Sequence, residues 1–223
     1  MKLRAKAYLK IAAEDWRKKY DYVGDFSEGL AGVRLGDRAT GMWGFVDETG
    51  KEIIPPKYYY VGPFIEGFAA VRREGKWGFV NQQGEEVFPL KYDYVGPFRE
   101  GLAAVELNGK RGFVDQTGNE VVEPKYDYVW DFSEGLAAVK FNGKIGFVDK
   151  TGKEVVKPKY DYAGKFHDGL SEVELDDKVG WVTREGKELL LTKDKGTQII
   201  NLIELEIITK KELINWVKEQ IVK

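Results

Sequence analysis

Cysteine is absent from the chain, and histidine and methionine are scarce, with one and two copies in 223 residues. Without cysteine there is no disulfide, no thiolate nucleophile and no sulfur ligand. The lone imidazole, His167, has no second His or Cys with which to complete a zinc site. An excess of charge of one sign is also missing: the formal net charge is -2, with no basic run or stripe. Nothing here attracts a phosphate backbone in general, so nucleic acid is not an expected partner. Long hydrophobic runs are missing too. Lys2, Arg4 and Lys6 precede an apolar stretch that Lys10 and Glu14 interrupt, so neither a signal peptide nor a membrane span is read, and a cytoplasmic location is expected. The glycines fall at turn spacing and form no phosphate loop between strand and helix. A nucleophile, base and orienting group would have to be assembled without cysteine and around His167. That residue shares a repeat column with Ser27, Ile65, Arg99 and Ser133, so the scaffold needs no imidazole there. The expectation is no enzyme, no cofactor and no metal.

What the chain does have is a repeat. The first Tyr of each Lys-Tyr-x-Tyr or related segment falls at Tyr20, Tyr58, Tyr92, Tyr126 and Tyr160, spacings of 38, 34, 34 and 34 residues. A fixed period of this size marks a tandem array in which each unit buries its apolar face against its neighbours. In the copy from Lys125 to Pro158, Leu136–Val139 reads as a strand and Asn142-Gly143 as a type I′ hairpin turn. Ile145–Val148 reads as the returning strand, Asp149–Gly152 as a type I turn, and Val155-Val156 as a third strand that is an edge strand or ends at Pro158. Two glycine columns (Gly29 to Gly169, Gly50 to Gly186) and two aromatic columns recur. The aromatic columns are Phe26, Phe64, Phe98, Phe132 and Phe166, then Phe45, Phe79, Phe113, Phe147 and Trp181, and they are the expected core. The extra four residues of the first copy fall in a longer loop within Leu35 to Met42.

The fold expected is therefore an all-β tandem repeat: five three-stranded antiparallel meanders in an open twisted stack, with a closed five-bladed ring as the alternative. The units are residues 19–56, 57–90, 91–124, 125–158 and 159–192, preceded by a helix over 1–18 and followed by a strand and helix over 193–223. Gln198–Ile208 reads as strand. Thr209 and Glu212 form a capping box for a helix from Lys210, whose stripe is Leu213, Trp216, Val217 and Ile221, a cap or a partner-binding element.

Met42–Val46 (M-W-G-F-V) and Lys76–Val80 (K-W-G-F-V), each followed by a Gly-centred turn, resemble the bacterial WG-repeat family, also called KWG repeats. Trp43 and Trp77 carry the defining residue, and Arg111, Ile145 and Val179 replace it in the later copies. The resemblance covers Lys19 to about Leu191 and implies a β-rich repeat module without a settled activity.

For function, the expectation is a non-catalytic docking surface for a protein or peptide. Positions that depart from the internal consensus are its candidate residues: Trp130, which replaces a glycine, and the charge-variable column Arg34, Arg72, Glu106, Lys140 and Glu174. The alternative is glycan or cell-envelope ligand binding by the column Tyr22, Tyr60, Tyr94, Tyr128 and Tyr162, which as a scaffold feature would instead pack its rings and bond its hydroxyls. Two acidic columns also recur. Asp21, Asp93, Asp127 and Asp161 stand beside lysines with which they could pair. Glu28, Glu66, Glu100, Glu134 and Asp168 precede turn glycines, and neither column shows the nonapeptide pattern of calcium-binding β-rolls.

Overall fold

A computed structural model describes residues 16–195 and 209–222. The expected helix over 1–18 lies outside the described residues except for a 3-10 turn at Trp16–Lys19, and the expected strand at Gln198–Ile208 lies wholly outside them. The rest is all-β, five antiparallel sheets in tandem. The first comprises β1 (Tyr22–Ser27), β2 (Leu30–Leu35), β3 (Met42–Asp47) and β4 (Glu52–Tyr58). The second has β5 (Tyr60–Ile65), β6 (Phe68–Arg73) and β7 (Lys76–Asn81). The third has β8 (Tyr94–Arg99), β9 (Leu102–Leu107), β10 (Lys110–Asp115) and β11 (Glu120–Tyr126). The fourth has β12 (Tyr128–Val129), β13 (Leu136–Phe141), β14 (Lys144–Asp149) and β15 (Glu154–Tyr160). The fifth has β16 (Tyr162–Ala163), β17 (Leu170–Leu175), β18 (Lys178–Thr183) and β19 (Glu188–Thr192). Helix α1 (Lys210–Val222) lies at the C-terminal end of the described residues.

Four of the sheets have one strand more than the three expected. The addition is the Tyr-x-Gly-x-Phe segment at the start of each unit. Its glycine and proline disguise it, and in β1, β5 and β8 a register shift between the valine and the phenylalanine bends it. The second sheet keeps three strands because Glu86–Tyr92 touches β7 only through the bridges Val80↔Glu86 and Trp77↔Tyr92. There Pro89-Leu90 replaces the Glu123-Pro124 and Lys157-Pro158 of the fourth strands of later sheets.

That difference explains the glycine of the Trp-Gly dipeptide. A Cβ on Gly112, Gly146 or Gly180 would stand 2.1, 2.4 or 1.9 Å from a carbonyl oxygen of the fourth strand. On Gly78, beside the displaced segment, the nearest atom is the Leu90 side chain at 3.2 Å. The glycine is there because another backbone passes over it. Turn residues behave as their types dictate: Asn142 and Gly143 both have positive φ (49° and 81°), the geometry of a type I′ hairpin. In the longer first hairpin, Asp37 accepts from Ala39 N, Thr40 N and Thr40 Oγ1, which shapes the loop.

The chain forms two compact units, Met1–Asn108 with Val114–Asn119, and Gly109–Phe113 with Glu120–Lys223. In both, the two aromatic columns meet between consecutive sheets: Phe45–Phe64 and Phe79–Phe98 in the first (4.9 and 4.7 Å between centroids), Phe113–Phe132 and Phe147–Phe166 in the second (4.8 and 4.9 Å). Helix α1 begins with the expected capping box, Thr209 N donating to Glu212 Oε2 at 2.8 Å and Glu212 N to Thr209 Oγ1 at 3.2 Å. Leu213 and Val217 are buried against Leu170 and Trp181 of the fifth sheet, whereas Trp216 is 39% exposed and lies outside that cluster.

Candidate functional site

Most charged columns of the repeat are spent on holding sheets together. Tyr58, Tyr126 and Tyr160, each ending the fourth strand of a sheet, donate their hydroxyls to Glu86, Glu154 and Glu188 at 2.8, 2.7 and 2.6 Å. Tyr20 does the same to Glu52 at 2.8 Å. Burial, then the neighbouring carboxylate, pushes the three phenols Tyr58, Tyr126 and Tyr160 far up. Burial alone would raise Glu86 and Glu188. The phenol bonds, with Arg73 and Lys57 around Glu86 and Lys159 beside Glu188, outweigh it and leave both carboxyls below the ordinary value.

The acidic columns are structural too. Asp93, Asp127 and Asp161 each take an ammonium from the lysine 17 residues earlier, Lys76, Lys110 and Lys144, at 2.6, 2.7 and 2.6 Å, and each accepts a hairpin-turn amide at 2.8, 2.7 or 2.9 Å. The lysine bond, then the amide bond, holds each of these carboxyls low. Of the lysines beside the aspartates with which the sequence offered to pair them, Lys19, Lys125 and Lys159 go elsewhere, to Glu52, Glu154 and Glu188. In the second acidic column Glu66 accepts Glu100 N and Gly101 N at 2.9 and 2.8 Å, and Glu134 accepts Asp168 N and Gly169 N at 2.7 Å each. Among the described residues no group of three or more His, Cys, Asp or Glu could hold a metal ion. His167 is exposed beside Asp168.

The candidate binding residues lie apart from these ties. The charge column and the tyrosine column, offered by the sequence as separate surfaces, are cross-strand partners in every sheet: Tyr22↔Arg34, Tyr60↔Arg72, Tyr94↔Glu106, Tyr128↔Lys140 and Tyr162↔Glu174. All five tyrosines are exposed, between 40% and 50%. The hydroxyls of Tyr22, Tyr60, Tyr128 and Tyr162 make no hydrogen bond among the described residues. On the other side of the charged residue stands the Trp position: Arg34↔Trp43, Arg72↔Trp77, Lys140↔Ile145, Glu174↔Val179. The tyrosine ring meets the indole edge-on at 5.5 Å for Tyr22–Trp43 and 5.2 Å for Tyr60–Trp77.

Trp130 is half-buried and joins this row from the same strand end, its ring 4.7 Å from that of Tyr128. Its backbone keeps the local pattern, Trp130 N donating to Ala138 O at 3.0 Å as Gly164 N does to Glu172 O at 2.8 Å. The glycines it replaces do not have positive φ, and a Cβ at Gly62, Gly96 or Gly164 would meet nothing nearer than 3.6 Å. The position therefore accepts a side chain. The indole lines a cleft of about 270 Å³ between the fourth and fifth sheets, with Phe147 and Phe166 at its floor and Asp131 and Lys165 at its mouth. The corresponding cleft between the second sheet and β8, about 320 Å³, is walled by Tyr60, Trp77 and Tyr94 with Pro63 and Pro97 in the places of the two charges.

A family model described as WG containing repeat matches residues 18–38, 43–77, 77–110, 112–144 and 145–178, together more than half of the chain. No curated protein matches. Among solved structures, the chain is similar to Hsv2p of Kluyveromyces lactis, with 12% identity, a TM-score of 0.41, and coverage of 76% of this chain and 62% of that one. It is also similar to the extracellular domain of the putative one component system BT4673 from B. thetaiotaomicron (13% identity, TM-score 0.34, 78% and 30% covered). A nidogen/laminin complex chain is similar as well (10% identity, TM-score 0.33, 77% and 79% covered). The chain spans less than two thirds of the length of the first two.

Proposed function

The chain belongs to the family of WG containing repeats, and from that premise we propose that it is a non-catalytic docking module that receives a protein or peptide partner on its row of tyrosines and variable charges. One observation carries the reading. In each sheet the exposed tyrosine and the charge-variable residue are cross-strand neighbours, so within each compact unit the two columns lie side by side. The identical carboxylates and lysines of the repeat, by contrast, are consumed in internal bonds. A rigid array whose side chains change between copies at fixed spacing suits an extended partner, and tyrosine brings contact area at small entropic cost.

The test replaces Tyr22, Tyr60 and Tyr128 together by Ser and compares affinity purification with quantitative mass spectrometry against the unaltered chain. A partner retained by the native protein and lost by a variant of equal melting temperature supports docking. Identical captured sets would remove the row from consideration. A second reading, saccharide binding, is favoured by the cleft walled by Tyr60, Trp77 and Tyr94, whose rings offer stacking faces. A glycan array that lights up with the native chain and not with Trp77→Val decides for it.

A further inference from the structure

We infer that Arg34 and Arg72, each laid against the indole of its own sheet, are a pair of repeat-related carboxylate receivers for an acidic, extended peptide segment of the partner; this rests on the docking reading above. Cations around them are committed: Lys57 and Arg73 to Glu86, Lys76 to Asp93. Arg34 and Arg72 make no ion pair among the described residues. Each is nevertheless held in place. The Arg34 guanidinium carbon lies 5.5 Å from the Trp43 ring and 5.7 Å from the Tyr22 ring, and its Nε donates to Gly36 O at 3.2 Å. That of Arg72 lies 5.8 Å from the Trp77 ring, against which Tyr60 packs.

A guanidinium stacked on an aromatic face keeps its in-plane donors for a carboxylate fork and has less freedom to lose on binding. No nearby acid forms an ion pair with it, although Asp37, whose carboxyl is held low first by its bonds to Thr40 and Ala39, also feels the charge of Arg34. Asp21 accepts Gly36 N at 2.8 Å and Asp37 is occupied by its own loop. In the second sheet the aspartate column is broken by Tyr59, so the residue beside Tyr60 is a second exposed phenol rather than a carboxylate. The two sites sit on neighbouring sheets, whose ordinary separation is about 10 Å. A polyproline-type peptide presents every third side chain on one face, roughly 9 Å apart, so a carboxylate in each third position matches a sheet separation of that order. Two such arginines in a chain of net charge -2 fit a short acidic segment better than a phosphate backbone, whose binding needs many contacts. Only the first two copies have the arginine and the tryptophan together; Lys140 and Glu174 stand beside Ile145 and Val179.

The experiment measures fluorescence anisotropy of a labelled Pro-Pro-Glu repeat peptide with the full chain, beside the same peptide with Gln for Glu. Every substitution borrows a residue that another copy already places at the same position: Arg34→Glu with Arg72→Glu, Trp43→Ile with Trp77→Val, and, as the control outside the row, Lys157→Glu, which takes the residue of Glu123. The Glu peptide is expected to bind, the Gln peptide about tenfold or more weakly, and the arginine pair variant not to bind. The tryptophan pair variant is expected to lose roughly tenfold although its arginines remain, and Lys157→Glu to lose nothing. No binding of the Glu peptide, equal binding of the Gln peptide, or an arginine variant that binds like the native chain overturns the inference. So does tighter binding of an oligonucleotide or of anionic lipid vesicles that the same arginines carry. If the tyrosine variant loses the captured partner and the arginine variant keeps it, the inference fails while docking stands; if both keep it, both fail.

Discussion

Two tyrosines separated by one residue face opposite fates in this repeat. Tyr126 is 1% exposed with its hydroxyl on Glu154, and Tyr128 is 40% exposed with its ring against Trp130; Tyr58 and Tyr60, then Tyr160 and Tyr162, repeat the contrast. Side chains two apart on one strand share a face, so a continuous strand would treat both alike. Here the chain changes sheets between them: the first ends a fourth strand, and the second begins the first strand of the next sheet. The inner column binds sheet to sheet. The outer column is paired with a column whose charge varies between copies, and the hydroxyls of Tyr22, Tyr60, Tyr128 and Tyr162 make no hydrogen bond among the described residues.

The sharpest way to break this contrast is to truncate each member. Tyr126→Ala should cost about 3 to 5 kcal/mol, because a large buried ring goes and Glu154 loses its donor. Tyr128→Ala should cost no more than about 0.5 kcal/mol, as exposed positions do. Urea titrations of the two variants measure the gap, and equal losses would erase the distinction. The same division runs through α1. Leu213→Ala should cost about 2 to 5 kcal/mol and lower hydrogen-exchange protection in the fifth sheet first, whereas Trp216→Ala should leave protection there nearly intact.

A smaller effect probes the backbone. Gly146→Ala puts a Cβ 2.4 Å from Val156 O and should cost roughly 1 to 3 kcal/mol. Gly78→Ala, whose Cβ meets the Leu90 side chain at 3.2 Å and its Cα at 3.3 Å, should cost less, about 1 kcal/mol. Comparable melting temperatures for the two would mean that the missing fourth strand of the second sheet does not relax the glycine requirement.

The weakest expected signal is the pH profile. The carboxyls of Glu86, Glu188, Asp93, Asp127 and Asp161 are held below their ordinary values, so their stabilisation is complete above about pH 4.5 and is lost as pH falls through the lowered folded values. The phenols of Tyr58, Tyr126 and Tyr160 are raised, so their contribution is complete below about pH 10 and is lost above it. Melting temperature should therefore plateau between those limits. Glu86→Gln should soften the acid limb, and Tyr126→Phe the alkaline one. A variant profile parallel to the native one at both ends would disconnect the inner column from stability.

Reading the repeat from the sequence succeeded where the cause is local. Asn142-Gly143 needs two positive φ values, Thr209 and Glu212 satisfy each other across one helical turn, and the two phenylalanine columns recur because each copy fills the same space. It missed the first strand of each sheet, since Tyr-x-Gly-x-Phe carries a bend and no clean alternation. That omission also split the candidate site. Without β12 beside β13, Tyr128 and Lys140 are two unrelated columns; with it they are neighbours.

Composition and spacing were enough to establish the number of copies, the turn geometry and the aromatic core, because each depends on residue type and on contacts a few positions apart. Which lysine answers which aspartate, 17 residues away rather than two, and which tyrosine is locked and which is displayed, depend on how one sheet lies on the next. A period of 34 residues makes every copy an equal candidate partner for every other. Packing breaks that tie, since a hydrogen bond of 2.7 Å admits one donor from one neighbouring sheet and leaves the residue two positions on, across a change of sheet, facing solvent.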